Sequence, residues 1–339
     1  MKRFLLCAIG AFFAQFHITA AYVFKDSTEN NEDRFTSFVI GGDYSTNTNT
    51  FGRFDNYAKQ PSYSPYVSYL SKYGFNLGAI GYFIGNSDAS GTETTSELDL
   101  QAGYDWRLGK VFSLNPLYTH FFYSSNSSTL KKSYSDYGQL SLTCDVKWWN
   151  SSISGRYLWG DYDEINLSAQ TGVTINISDF LHKGNSLVIN PMAELNSSDI
   201  NYYRYISGNF KFLRAYATYK PDATFNDLME DLQTSNRPLI KRLAEKIAAT
   251  PNLSKRMDKL AANGDFVISD LFSDKKELKF TSLGLTLPVY YYVGNFCFSA
   301  TFAAYKPFNQ PKAFGNDWTA YFGVGLSYTF SNQGQNSFK

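Results

Sequence analysis

Long hydrophobic runs are what this sequence most lacks. The longest continuously apolar stretch, 4–14, has 11 residues, too few to cross a bilayer as a helix. Mean hydropathy is −0.31, which excludes a bundle of membrane-spanning helices. Charge of one sign is missing too: 31 Lys and Arg face 30 Asp and Glu, a net charge of +1. Bulk electrostatic attraction to nucleic acid is therefore excluded as the main activity. Cysteine and histidine are scarce, at three each, and nothing in their spacing makes a zinc site. A glycine-rich phosphate loop and a basic–aromatic nucleic-acid stripe are absent as well. What the chain has in quantity is aromatic side chains, Tyr 26, Phe 29 and Trp 5, or 18% of its 339 residues. With 24 Gly and many Ser, Thr and Asn, that composition favours a closed antiparallel sheet over helix-rich folds.

The first segment reads as an address. Met1-Lys2-Arg3 is a basic start, Phe4 to Phe16 an apolar core, and Thr19-Ala20-Ala21 offers small residues for cleavage. This pattern predicts a signal peptide over 1–21, which would remove Cys7 and His17. A flexible acidic leader is expected over 22–34. The remaining cysteines, Cys144 and Cys297, lie far apart in sequence, and whether they pair stays open.

From residue 35 the chain becomes a series of period-two segments of the length of membrane-spanning strands. Over 97–106, Leu98, Leu100, Ala102, Tyr104 and Trp106 alternate with Glu97, Asp99, Gln101, Gly103 and Asp105. Over 139–148, Leu140, Leu142, Cys144, Val146 and Trp148 alternate with Gln139, Ser141, Thr143, Asp145 and Lys147. Segments 164–177 and 317–330 repeat the pattern. The contrast between faces separates a sandwich from a barrel. A water-soluble sandwich turns Lys and Glu outward, whereas here the polar face is mostly Ser, Thr, Asn, Gln and Gly. Aromatics end the apolar stripes, as membrane interfaces select. Strands are predicted near 35–45, 62–71, 74–85, 93–106, 111–124, 135–148, 151–160, 164–177, 186–195, 278–291, 295–305 and 317–330. Tight connections such as Ser71-Lys72-Tyr73-Gly74 alternate with long polar ones such as Ser45 to Pro61. The expected fold is an all-β, antiparallel, up-and-down transmembrane barrel of about 12 strands over 35–330. Tyr202 to Tyr219 also alternates, and a hairpin there would raise the number to about 14.

A signal peptide, alternating strands and a last strand ending Tyr328-Thr329-Phe330 together resemble a Gram-negative outer-membrane β-barrel protein. In that superfamily an aromatic closing the last strand is read by the barrel assembly machinery, so the resemblance implies this partner and contact with outer-membrane lipid and lipopolysaccharide. Here a tail, 331–339, begins just after Phe330, which is a departure from the pattern. Leu287-Pro288-Val289-Tyr290 also resembles a late-strand pattern of uncharacterised outer-membrane barrels, and no function travels with it.

One segment, 221–272, breaks the β pattern and predicts a helical insert in a long late loop. Pro238 to Ala249 and Leu253 to Asn263 read as short amphipathic helices, with Pro238 in a first turn. Its basic surface comprises Arg237, Lys241, Arg242, Lys246, Lys255, Arg256 and Lys259, against Glu245 and Asp258. A rim hairpin, a plug in the lumen and a surface for anionic lipopolysaccharide are the readings it allows.

Catalytic groups are hard to find. Outer-membrane phospholipases carry a His-x-Ser motif, which His120-Phe121-Phe122 lacks, and His182 falls in a turn. No neighbour in sequence supplies His120 with an orienting group or a nucleophile. The loop Asp161, Asp163 and Glu164 is a weak Ca²⁺ candidate. No cofactor is expected. The polar stripes assign Glu97, Asp99, Asp105, Asp145, Lys147, Arg156 and Glu194 to the lumen, and the aromatics to the lipid face and its girdles. The reading is a non-enzymatic barrel, a narrow porin-like channel for small solutes. A surface-binding barrel acting through loops and insert is the alternative, and an envelope lipid hydrolase ranks below both.

Overall fold

A computed structural model describes residues 36–47, 49–50, 53–54, 61–85, 94–123, 134–160, 163–199, 211–248, 267–269, 277–309 and 317–331. The expected signal peptide, the leader and the tail after Ser331 lie outside the described residues. The described chain divides into two compact units. One runs to Ser198 and resumes over Phe280–Phe308 and from Trp318, and the other spans Asp199–Lys279 and Asn309–Asp317.

The first unit is built from period-two strands: β1 (Ser37–Ser45), β2 (Ser62–Leu70), β3 (Phe75–Gly85), β4 (Thr94–Tyr104, continued by Trp106–Leu108), β5 (Phe112–Tyr123) and β6 (Tyr134–Val146). They are followed by β7 (Trp149–Gly160), β8 (Glu164–Val173, continued by Ile175–Ser178), β9 (Ser186–Ile189, continued by Met192–Ser198), β10 (Lys279–Val293), β11 (Phe296–Pro307) and β12 (Thr319–Ser331). Each strand pairs antiparallel with its neighbours in the chain. The first and last strands pair from Ser37↔Ser331 to Ser45↔Gly323. The result is a closed antiparallel barrel of 12 strands, in which no strand edge is left unpaired.

Local chemistry explains the corners. Five connections, four of them tight turns, lie at one end, which we call lower, and each holds a residue in the left-handed region: Gly74, Gly109, Lys147, Gly184 and Gly294. Long connections occupy the upper end. Pro191, which has no N–H to donate, separates the two segments of β9.

The outside of the barrel is apolar. Leu140 and Leu142 of β6, Ile153 of β7, Leu167 of β8 and Phe322, Val324 and Leu326 of β12 are all exposed. Such a surface around a backbone that satisfies its own hydrogen bonds is stable in lipid, so this unit spans a membrane. Trp106, Phe112, Trp148, Trp149 and Phe330 mark the lower rim, and Tyr44, Tyr63, Phe83 and Phe122 the upper.

In the second unit, α1 (Lys211–Tyr219), α2 (Phe225–Thr234) and α3 (Pro238–Ala248) are helices. The first of these overturns the alternative hairpin across Tyr202 to Tyr219. Tyr216 and Ala217 are adjacent and both buried, a pattern that a half-buried strand cannot produce. The hydroxyl of Tyr216 and the ammonium of Lys220 both reach Asp231 of α2, at 2.7 Å each. The Lys220 hydrogen bond holds the Asp231 carboxyl below its usual range, and burial pushes the Tyr216 hydroxyl up. Thr224 caps α2: its hydroxyl accepts from the Asp227 amide at 3.2 Å, and the Asp227 carboxylate accepts from the Thr224 amide at 2.7 Å. Those hydrogen bonds to Thr224 hold the Asp227 carboxyl below its usual range. Phe225, Leu228 and Ile268 are fully buried in this unit. The predicted helix at 238–249 is α3, while the one at 253–263 lies outside the described residues.

Candidate functional site

The inward face of the barrel is the site. On β4 the alternation turns Glu97, Asp99, Gln101 and Asp105 inward, and each is 5% exposed or less. Leu98, Leu100 and Trp106 point outward. Asp145 lies on the inward face of β6, close enough to Asp105 for their charges to interact. Arg156 is 2% exposed. Its Nε donates to Gln139 Oε1 at 2.6 Å and its Nη1 to Asn166 Oδ1 at 2.7 Å. Glu194 accepts from the Tyr305 hydroxyl at 3.1 Å. Six of the seven residues that the sequence assigned to the lumen therefore share the inward face.

Lys147 does not. It stands with Trp148 in the turn between β6 and β7, exposed, with φ 51°. Residues 147 and 148 look like a continuation of the alternation, but Trp149 already pairs back onto Val146. The assignment of Lys147 to the lumen is thus corrected: its ammonium lies beyond the end of the sheet.

Asp43 and Glu164 are inward carboxylates that the sequence alone did not assign to the lumen. Asp43 packs so closely on β12 that a Cβ at Gly325 would lie 1.8 Å from its Oδ1. Glu164 accepts from Ser198 Oγ at 2.6 Å and from the Tyr134 hydroxyl. This undoes the Ca²⁺ candidate. Glu164 is buried in the barrel while Asp163, its neighbour, is exposed on the opposite side, and Asp161 lies outside the described residues. No group of three or more metal-ligating side chains occurs among the described residues.

A further correction concerns the aromatics. Tyr82, Tyr137, Tyr290, Tyr292, Tyr305 and Tyr321 point inward and are buried, where their hydroxyls add polar groups to the lumen. Val289-Tyr290-Tyr291-Tyr292 places Tyr on both faces, so alternation alone could not sort it. Cys297 is also inward, beside Val188, Tyr290 and Tyr292, whereas Cys144 is at an outward position, and both are free thiols.

On the outer wall near the upper rim, His120 has the orienting group that no sequence neighbour supplied. Its Nδ1 lies 2.6 Å from Asp136 Oδ1, one strand away. Tyr118 and Ser135 donate to the same carboxylate, at 2.5 and 2.6 Å. His182 is exposed in the turn between β8 and β9. On the insert, Arg237, Lys241 and Arg242 are exposed, and the Arg237 guanidinium lies 4.7 Å from the Tyr219 ring. Lys246 belongs to α3, and Lys255, Arg256 and Lys259 lie outside the described residues.

No family model matches the chain, and no curated protein sequence matches it. Among solved structures the chain is similar to a KdgM porin, with a TM-score of 0.44 and 9% identity over 86% of this chain and 99% of that one. A NanC porin follows at 0.41 and 11%, over 86% and 98%. LpxR from Salmonella typhimurium stands at 0.40 and 7%, over 87% and 100%. At this level of likeness the comparisons assign no activity.

Proposed function

We propose that the protein is a barrel of the bacterial outer membrane that passes small polar solutes through its lumen, without catalysis. The observation that carries this reading is the contrast between the two faces of one sheet. Carboxylates, amides and hydroxyls line the inside, and an apolar belt surrounds it. Placing that many polar groups within a membrane is costly unless something polar uses them. A barrel of 12 strands is largely filled by its own side chains, and burial of nearly every inward side chain fits small solutes rather than large ones. Phe330, outward at the lower rim, suits the signal read during barrel assembly.

The outer-wall pair of His120 and Asp136 does not support hydrolysis. Among the described residues the imidazole's one hydrogen bond is to its orienting carboxylate, and the nearby Tyr118 and Ser135 hydroxyls donate to that same carboxylate rather than to the imidazole. Reconstitution in planar bilayers tests the proposal. Discrete conductance steps are expected, and their absence at all voltages and salt concentrations would refute it. Release of fatty acid from envelope lipids by the pure protein would refute the non-catalytic part.

A further inference from the structure

The charged and polar groups of β4 form a single stripe. Glu97, Asp99, Gln101 and Asp105 occupy inward positions at intervals of two residues, interrupted only at Gly103. Asn76 of the adjacent β3 fills that gap: a Cβ at Gly103 would lie 2.5 Å from its Oδ1. At about 3.3 Å per residue and a tilt of about 40°, Glu97 to Asp105 covers roughly 20 Å of height, most of a membrane band of about 25 Å. Asp145, beside Asp105, adds a carboxylate at the lower end. Asp43, Glu164 and Glu194 on other strands raise the inward carboxylates to seven among the described residues, against two cations at inward positions, Arg156 and, at the lower mouth, Arg107, whose register partner is the inward Ser113.

A second, independent feature lies within the stripe. Gln101 is 4% exposed, yet among the described residues neither its amide nitrogen nor its amide oxygen has a hydrogen-bond partner, and Asn76 Oδ1 also has none. Buried amides without partners are costly, and a hydrated ion passing between Asp99 and Asp105 would supply what they lack. Arg156 stands on β7 and donates to two neutral amides, Gln139 and Asn166.

We propose that this stripe is the path of small hydrated cations through the barrel and that it disfavours anions. The inference rests on the porin-like reading and deepens it by giving the sign of the solute's charge. Rows of carboxylates select cations because a fixed negative potential in a narrow, low-dielectric bore lowers the free energy of a cation and raises that of an anion.

The test is the reversal potential of the full protein in a neutral-lipid planar bilayer under a KCl gradient. The sign expected is that of potassium preferred over chloride. Replacing both Asp99→Asn and Asp105→Asn should shift the reversal potential towards zero, and Gln101→Leu should lower conductance without changing the sign. A preference for chloride in the unaltered protein overturns the cation path and leaves the porin reading standing, whereas no conductance at all overturns both. Should the first pair prevent assembly, Glu97→Gln with Asp145→Asn makes the same test. An assembled variant of either pair with an unshifted reversal potential overturns the proposal.

Discussion

Leu142 and Thr143 are consecutive residues of β6, and the structure sends them to opposite solvents. Leu142 is 42% exposed on the outer wall, and its register partners are Leu114 and Ile153. Thr143 is inward, paired with Ser113 and Ser152 and on the same face as Asp145. From Val146, at the lower end of the strand, Leu142 lies about 10 Å up a band of roughly 25 Å, given about 3.3 Å per residue and a tilt near 40°. That is close to mid-membrane. Arginine on the lipid face there costs roughly 2–4 kcal/mol, or about 30- to several-hundred-fold in the folding equilibrium. Arginine at Thr143 enters a lumen where the Asp145 carboxylate can pair with it, so most of that cost should disappear. Leu142→Arg is therefore expected to impair assembly strongly and Thr143→Arg only weakly. Heat-modifiable gel mobility reports assembly, and urea titration of the protein folded into lipid vesicles reports the free-energy difference. Equal loss at both positions, or none at Leu142, would refute the assignment of faces.

Three further outcomes follow from particular contacts. Gly325→Ala should destabilise the barrel by about 1–3 kcal/mol through overpacking, because the new methyl would meet Asp43 Oδ1 at 1.8 Å. Asp43→Ala in the same chain should recover part of the loss, and additive losses in a double-mutant cycle would refute the contact. Replacing Phe225 to Asp265 with a Gly-Ser linker should leave an assembled barrel, since the 12 strands close without that segment, and loss of heat-modifiable mobility would refute this. In the insert, hydrogen bonds hold the Asp227 and Asp231 carboxyl groups below their ordinary value of 3.8. Their stabilisation is therefore present above that value and lost as the pH falls below it through the lowered folded values. Amide-exchange protection over α1 and α2 should be high at neutral pH and drop as the pH falls through the lowered folded values, and protection unchanged by acid would refute the role of these contacts.

Strand number and facing were legible because period two is a strong signal when one face meets lipid. The alternation that places Leu98 and Leu100 outside also places Glu97 and Asp99 inside, and in the sheet the first pair is exposed and the second buried. The same rule failed where a strand ends without turn chemistry. Lys147-Trp148-Trp149 contains neither Gly nor Asn, yet the chain reverses there by holding Lys147 at φ 51°, so alternation carried one residue too far put a lysine in the lumen. It failed again where both faces carry the same residue type, as at Tyr290-Tyr291-Tyr292, because a tyrosine is compatible with lipid interface and polar lumen alike. The insert was half legible. Pro238 announced α3, whereas α2 begins at a Thr224–Asp227 capping box that the sequence reading passed over. The pairing of His120 with Asp136 spans 16 residues and two strands, and only the register across β5 and β6 brings them together.

A net charge of +1 excluded attraction to nucleic acid, but the same balance conceals a separation of charge that matters for function. Among the described residues, the barrel's inward face is dominated by one sign. Seven carboxylates among those residues take inward positions with two guanidinium groups, Arg156 and Arg107, while Arg237, Lys241 and Arg242 are exposed at the start of α3. Fields act over a Debye length of about 10 Å or less at physiological salt, so an ion inside the barrel responds to the carboxylates lining it and not to the formal total. A lumen with a strong sign inside a nearly neutral chain is what composition cannot reveal and parity along the strands can. The sign of the conducted ion is for that reason a sharper test of the structure than conductance alone.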